Sequence, residues 1–122
     1  MKIYTSYFAR AGRLPESIVP ISISLWPPKD YRGAAIRTLA PTKGILTEYK
    51  ASPDWDRYVK RFSAEVLNGL DPDEVLAAIA RITGGRDACL LCFERDESKC
   101  HRTLVAEWLA ANGAGVAGEY RS

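Results

Sequence analysis

The stretch Ala88-Cys89-Leu90-Leu91-Cys92-Phe93-Glu94-Arg95-Asp96-Glu97-Ser98-Lys99-Cys100-His101-Arg102-Thr103-Leu104-Val105-Ala106-Glu107-Trp108-Leu109 decides the fold. Its first six residues are continuously apolar and too few for a stable helix, the pattern of a strand covered on both faces. From about Ser98 to Ala111, Leu104, Val105, Trp108 and Leu109 recur at helical spacing, and Asn112-Gly113 supplies a stop. A buried strand joined by a short charged loop to a helix is the unit from which parallel sheets are built. The same stretch holds all three cysteines and the only histidine of the chain.

Working outward, Asp71-Pro72-Asp73-Glu74 combines a helix N-cap, a proline at the first helical position and a glutamate three residues on; Val75, Leu76, Ile79 and Ile82 follow, and Gly84-Gly85 ends the run. Trp55, Tyr58, Val59, Phe62, Val66 and Leu67 also recur at helical spacing, with Ser52 as cap and Pro53 at the first position. Toward the N-terminus, Lys2 to Phe8 is aromatic and β-branched, and Ser17 to Trp26 alternates Ile21, Ile23 and Leu25 with Ser22 and Ser24, Pro20 standing near its start. Between Tyr31 and Lys50, Ala34, Ala35, Ile36 and Leu39 suggest one short helix and Ile45, Leu46 and Tyr49 another. Strands that alternate with helices predict a single compact α/β domain over residues 1–122, with a mostly parallel β-sheet flanked by helices.

Composition agrees with one domain, because 122 residues at 47% hydrophobic content build one ordinary core. No stretch approaches the ~20 apolar residues of a membrane span, and no basic-then-apolar secretory leader is visible. A cytoplasmic protein without a membrane partner is expected, its thiols reduced, since the cysteines do not form a secreted disulfide framework. Residues 1–61 hold 11 Lys/Arg against 5 Asp/Glu, leaving the second half acidic within a net charge of only +2. That imbalance is compatible with anion focusing and equally with an unevenly solvated surface.

Strand alternation sorts the cysteines. Cys89, Leu91 and Phe93 share one face, while Leu90, Cys92 and Glu94 share the other, so Cys89 and Cys92 do not form a chelate and Cys89 is a core residue. Cys92 and Glu94 fall at the carboxyl end of the strand, where parallel sheets bind ligands. Cys100, His101 and Arg102 fall in the first turn of the next helix, where free N–H groups and the positive dipole end favour anions and thiolates. On a helix Cys100 and His101 diverge by about 100°, so His101 is expected to address Cys92 or Glu94. Cys92, Glu94, Cys100, His101 and Arg102 are therefore the candidate catalytic set, beside a purely structural reading in which Arg102 pairs with Glu94 and the cysteines are buried. A metal held by Cys92, Cys100 and His101 ranks below both, and no cofactor is expected.

Familiar signatures are absent. Cys89 and Arg95 have the Cys-x5-Arg spacing of cysteine phosphatases, but an apolar strand stands where the glycine-bearing anion loop is required. No deaminase His-x-Glu with Pro-Cys-x-x-Cys, no Walker loop and no G-x-G-x-x-G occurs.

The run Leu90-Leu91-Cys92-Phe93-Glu94, a short charged loop and then Cys100-His101-Arg102 before a helix resembles the C-terminal signature of the domain of unknown function 488 family. The first strand, the Leu25-Trp26-Pro27 turn and the helix around Tyr58 to Phe62 are similar to that family in placement. The resemblance implies a compact intracellular α/β domain whose activity is unsettled, with Cys92, Glu94, Cys100, His101 and Arg102 on the motif positions. It departs after the second strand, where the family carries an arginine-rich segment and this chain reads Pro27-Pro28-Lys29-Asp30. Parallel strands would bring Tyr7, Arg10, Trp26 and Lys29 to the same edge as Cys92 and Cys100, an aromatic and basic rim suited to an anionic substrate. A thiol-dependent enzyme acting on a nucleotide, a phosphorylated molecule or a nucleic-acid end is one expectation. A non-catalytic module for nucleic acid or protein is a second, and a metal-stabilised domain a third.

Overall fold

A computed structural model describes residues 1–121 and shows five strands and four α-helices. In chain order they are β1 (Ile3–Tyr7), β2 (Ile18–Ser22), β3 (Ala34–Ala35), α1 (Lys43–Ala51), α2 (Trp55–Glu65), α3 (Pro72–Thr83), β4 (Asp87–Cys92), α4 (His101–Ala111) and β5 (Val116–Glu119). The strands form one sheet in the order β3-β2-β4-β1-β5, and every pairing is parallel. The expectation of an α/β domain with a mostly parallel sheet holds.

Handedness explains how the two faces are covered. The paths from β3 to β4 and from β4 to β5 travel in one direction across the sheet, whereas those from β1 to β2 and β2 to β3 travel in the other. Right-handed crossovers then require opposite faces for the two sets. On one face the four helices bury Ile45, Phe62, Ile79, Val105 and Leu109 against Ile3, Ile21, Ala88 and Leu90. On the other, Phe8, Ala11 and Leu14 of the β1–β2 connection and Tyr31 of the β2–β3 connection pack on Ile18, Cys89 and Leu91. The sheet is thus helical on one side only, with a 3₁₀ segment (Phe8–Arg13) and aromatic rings on the other. Cys89 lies wholly buried in that second cluster, as alternation along β4 predicts.

Local chemistry set several boundaries differently from the sequence reading. Pro20 lies inside β2, where its missing N–H falls on the flank that β3 reaches only at Ile21 and Ser22, so no ladder bond is lost. The first expected helix between Tyr31 and Lys50 is instead the edge strand β3 with a 3₁₀ turn (Arg37–Leu39); Ile36 N–H donates to Ser22 O at 2.9 Å and ties the segment to β2. Ser52 does not cap α2. Its N–H closes α1 on Glu48 O, Pro53 keeps it out of helical geometry, and Asp54 caps α2 by accepting from Arg57 N–H. At α3, Asp71, Pro72 and the left-handed Gly84 (φ 63°) occupy the cap and stop positions expected. Ser98 belongs to a separate 3₁₀ turn (Glu97–Lys99) capped by Asp96, and α4 begins only at His101. β5 was not anticipated, because Val116-Ala117-Gly118-Glu119 has neither β-branched density nor alternation. Among the described residues no helix is long and apolar enough to cross a membrane.

Candidate functional site

At the carboxyl end of β4 the chain leaves toward the helices, while its neighbours β1 and β2 leave toward the other face. Such a divergence opens a crevice above the strand ends, and here the crevice holds the cysteine segment. A pocket of about 280 Å³ lies there. Ser24, Leu25 and Trp26 line it after β2, Cys92, Phe93 and Glu94 after β4, and Lys99, Cys100 and His101 at the start of α4. Tyr49, Lys50 and Tyr58 close it from α1 and α2.

Cys92 and Cys100 are buried and their sulfurs meet as a disulfide, although their Cα atoms stand 7.5 Å apart, wider than the roughly 4.4–6.8 Å that disulfides usually span; the two are adjacent sulfurs in either redox state. Strand end and helix cap meet because the eight-residue separation folds back through the turn that Asp96 caps. Cys89 remains a free thiol, and burial first, then the charge of Glu119, push it up to about 12. It is inert at neutral pH.

His101 also departs from expectation. Cys100 is the N-cap, with extended backbone (φ −133°, ψ 141°), so the 100° separation of helical neighbours does not apply to this pair. His101 Nδ1 lies 4.0 Å from Cys100 Sγ, and Nε2 lies 2.7 Å from Ile23 O. A carbonyl only accepts, so Nε2 carries the hydrogen and a neutral ring turns the Nδ1 lone pair toward the sulfur. Burial pushes the imidazole down to about 4; the bond to Ile23 opposes this and the charge of Arg102 adds to it. The ring is a neutral acceptor across the physiological range.

Arg102 is fully buried with every donor occupied. Nε and Nη2 grip Glu119 at 3.0 and 2.9 Å, Nη1 donates to Cys92 Sγ at 3.1 Å and to Glu94 O, and Nη2 donates to Arg95 O at 3.3 Å. Five N–H groups meet five acceptors, the full capacity of a guanidinium. Thr5 Oγ1 donates to Glu119 Oε1 at 2.7 Å, and the Tyr7 ring lies 5.7 Å from the guanidinium carbon. Arg102 therefore holds Cys92 and the loop after it, through the backbone rather than the carboxylate of Glu94.

Of the sequence candidates, Cys92, Glu94, Cys100, His101 and Trp26 line the pocket. Tyr7 sits behind it against Arg102. Arg10 and Lys29 do not line it; Phe8 and Ala11 on either side of Arg10, and Tyr31 beyond Lys29, pack on the opposite face of the sheet. The cations that do line it are Lys50 and Lys99, neither of them singled out in the sequence. Glu119 and the Ile23 carbonyl were missed as well. An arginine in an apolar motif signals that a carboxylate partner must exist, but nothing in sequence selects Glu119.

A family model described as "Active DUF488-N3 subclade" matches residues 7–113. The chain belongs to the DUF488 family. The match runs from the end of β1 through α4, so it includes the cysteine segment and stops before Glu119. No curated protein and no solved structure matches this DUF488 chain.

Proposed function

We propose that this DUF488 domain is a thiol-dependent enzyme acting on an anionic substrate, a nucleotide, another phosphorylated molecule or a nucleic-acid end, bound over Cys92 and Cys100. The observation that carries the reading is His101 Nδ1 at 4.0 Å from Cys100 Sγ at the wall of a pocket, with Nε2 engaged by the Ile23 carbonyl. Lys50 and Lys99 at the same pocket favour an anion, and Trp26, 54% exposed, offers a stacking face. Glu94 lines the same pocket and opposes some of that charge; in this reading it orients a hydroxyl or amine of the substrate.

Chemistry starts from the reduced pair: a thiol reductant opens the disulfide by exchange, two RSH becoming RSSR as Cys92 and Cys100 become thiols. An imidazole held near 4 does not deprotonate a thiol of ordinary pKa, about 8.5, in advance of reaction. The proton passes from Cys100 Sγ to His101 Nδ1 as the sulfur attacks, and returns to the leaving group. Cys92, held by Arg102, is the second sulfur of the couple and closes the disulfide when the site is oxidised.

The test is alkylation of the reduced, metal-free protein by iodoacetate and by neutral iodoacetamide, mapped by mass spectrometry. The expected outcome is modification of Cys100 in the folded state, with the iodoacetate rate lowered several-fold by Lys50→Gln with Lys99→Gln or by added salt. Reaction of Cys92 and Cys100 only in denaturant would overturn the thiol reading. Equal insensitivity of both reagents to the lysine changes would overturn the anionic substrate.

A further inference from the structure

The reduced site has a second capacity. We propose that Cys92, Cys100 and His101 together form a binding site for one thiophilic divalent cation of the zinc class, open to the pocket. Sγ of Cys92, Sγ of Cys100 and a ring nitrogen of His101 all lie within 4.8 Å of one another, and all three residues are buried. Donors sharing a tetrahedral zinc, at Zn–S of about 2.3 Å and Zn–N of about 2.0–2.1 Å, stand roughly 3.6–3.8 Å apart. On reduction the two bonded sulfurs must separate to that distance, and the 7.5 Å between their Cα atoms leaves room for it.

The surroundings have the features of a ligand shell. The Nε2–H bond to Ile23 O fixes the ring and leaves Nδ1 as the free donor, the arrangement by which a carbonyl orients a metal-bound histidine. Arg102 Nη1–H on Cys92 Sγ moderates the charge of one thiolate. Two thiolates balance a divalent ion, and Arg102 is already balanced by Glu119, so the buried centre is neutral when filled. Thiolate and imidazole donors select zinc-class ions over magnesium or calcium. Three protein ligands leave a fourth position, and because all three line the pocket that position faces bound water or an anionic donor atom.

Metal and disulfide are alternative states of the same sulfurs. A phosphine reductant with one water takes the disulfide to two thiols and becomes phosphine oxide; the cation then displaces two thiol protons on binding. Ion retention and turnover are read by different measurements, so the thiol reading and the ion site succeed or fail separately.

The experiment titrates zinc and cobalt(II) into phosphine-reduced protein, with a chromophoric chelator as competitor and the thiolate-to-cobalt absorption as the count of sulfur ligands. One ion per reduced chain is expected, and none on the oxidised chain, a comparison that needs no mutation. Cys92→Ser or Cys100→Ser halves the sulfur-to-cobalt intensity, and His101→Gln weakens zinc on the order of 100-fold or more, since outer-shell partners alone are worth about 10–100-fold. Cys89→Ser leaves binding unchanged, and bound zinc protects Cys92 and Cys100 from iodoacetamide. Equal zinc retention by reduced and oxidised protein, or cobalt spectra without sulfur absorption, would overturn the inference.

Discussion

At the scale of single residues the site depends on Arg102, a charge taken wholly out of water. Such burial is tolerated only with a partner and with every donor filled, and Glu119 supplies two of the five acceptors. Glu119→Gln strands the guanidinium without a counter-charge and is expected to cost about 3–5 kcal/mol, read as a lower urea midpoint. Replacing the pair together, Arg102→Met with Glu119→Leu, recovers part of that loss while releasing Cys92 from its hydrogen bond. The sequence made Arg102 visible but not its partner: Arg102 stands in a motif beside Cys100 and His101, whereas Glu119 lies 17 residues on in a segment with no strand signal. The role of Cys89 was legible, because alternation along an apolar strand separates it from Cys92 without further information.

At the scale of elements the differences come from competition among short-range bonds. Ser52-Pro53-Asp54 contains two residues able to cap α2, and proline decides between them by keeping its predecessor from helical geometry. Asp54→Ala is expected to cost about 1 kcal/mol, and Ser52→Ala less than about 0.5 kcal/mol, in the same urea titration. The boundary at α4 carries more consequence. Asp96 captures Ser98 N–H in a turn of its own, Cys100 is left extended, and only that conformation puts its sulfur beside both Cys92 and the His101 ring. The helix periodicity of Leu104 to Leu109 was legible, but the residue at which it starts was not, since caps are settled by a few hydrogen bonds rather than by apolar spacing.

At the scale of the whole molecule, burial of His101 couples the site to stability. Its folded-state value near 4 lies below the ordinary value of about 6.5, so the unfolded chain binds the proton more readily. The stabilisation is complete above pH 6.5 and is lost as pH falls toward 4, on the order of 3 kcal/mol in all. Unfolding of the oxidised protein at pH 7 and pH 4 checks this, with His101→Gln expected to flatten the difference; an unchanged slope in that variant assigns the acid sensitivity elsewhere. The sequence by itself determined the α/β class, the mostly parallel sheet, the extent of α3, that of β4 to within a residue at each end, and the segment that lines the candidate site. These rest on apolar period and local turn residues, which act over a few neighbours. Only the tertiary structure decided which residues meet there, leaving Arg10 and Lys29 outside the pocket and bringing Lys50 to it, because direction of travel across the sheet puts the α-helices on one face alone. The same topology returns β5 beside β1, and with it the carboxylate of Glu119 that lets Arg102 remain buried against Cys92 Sγ.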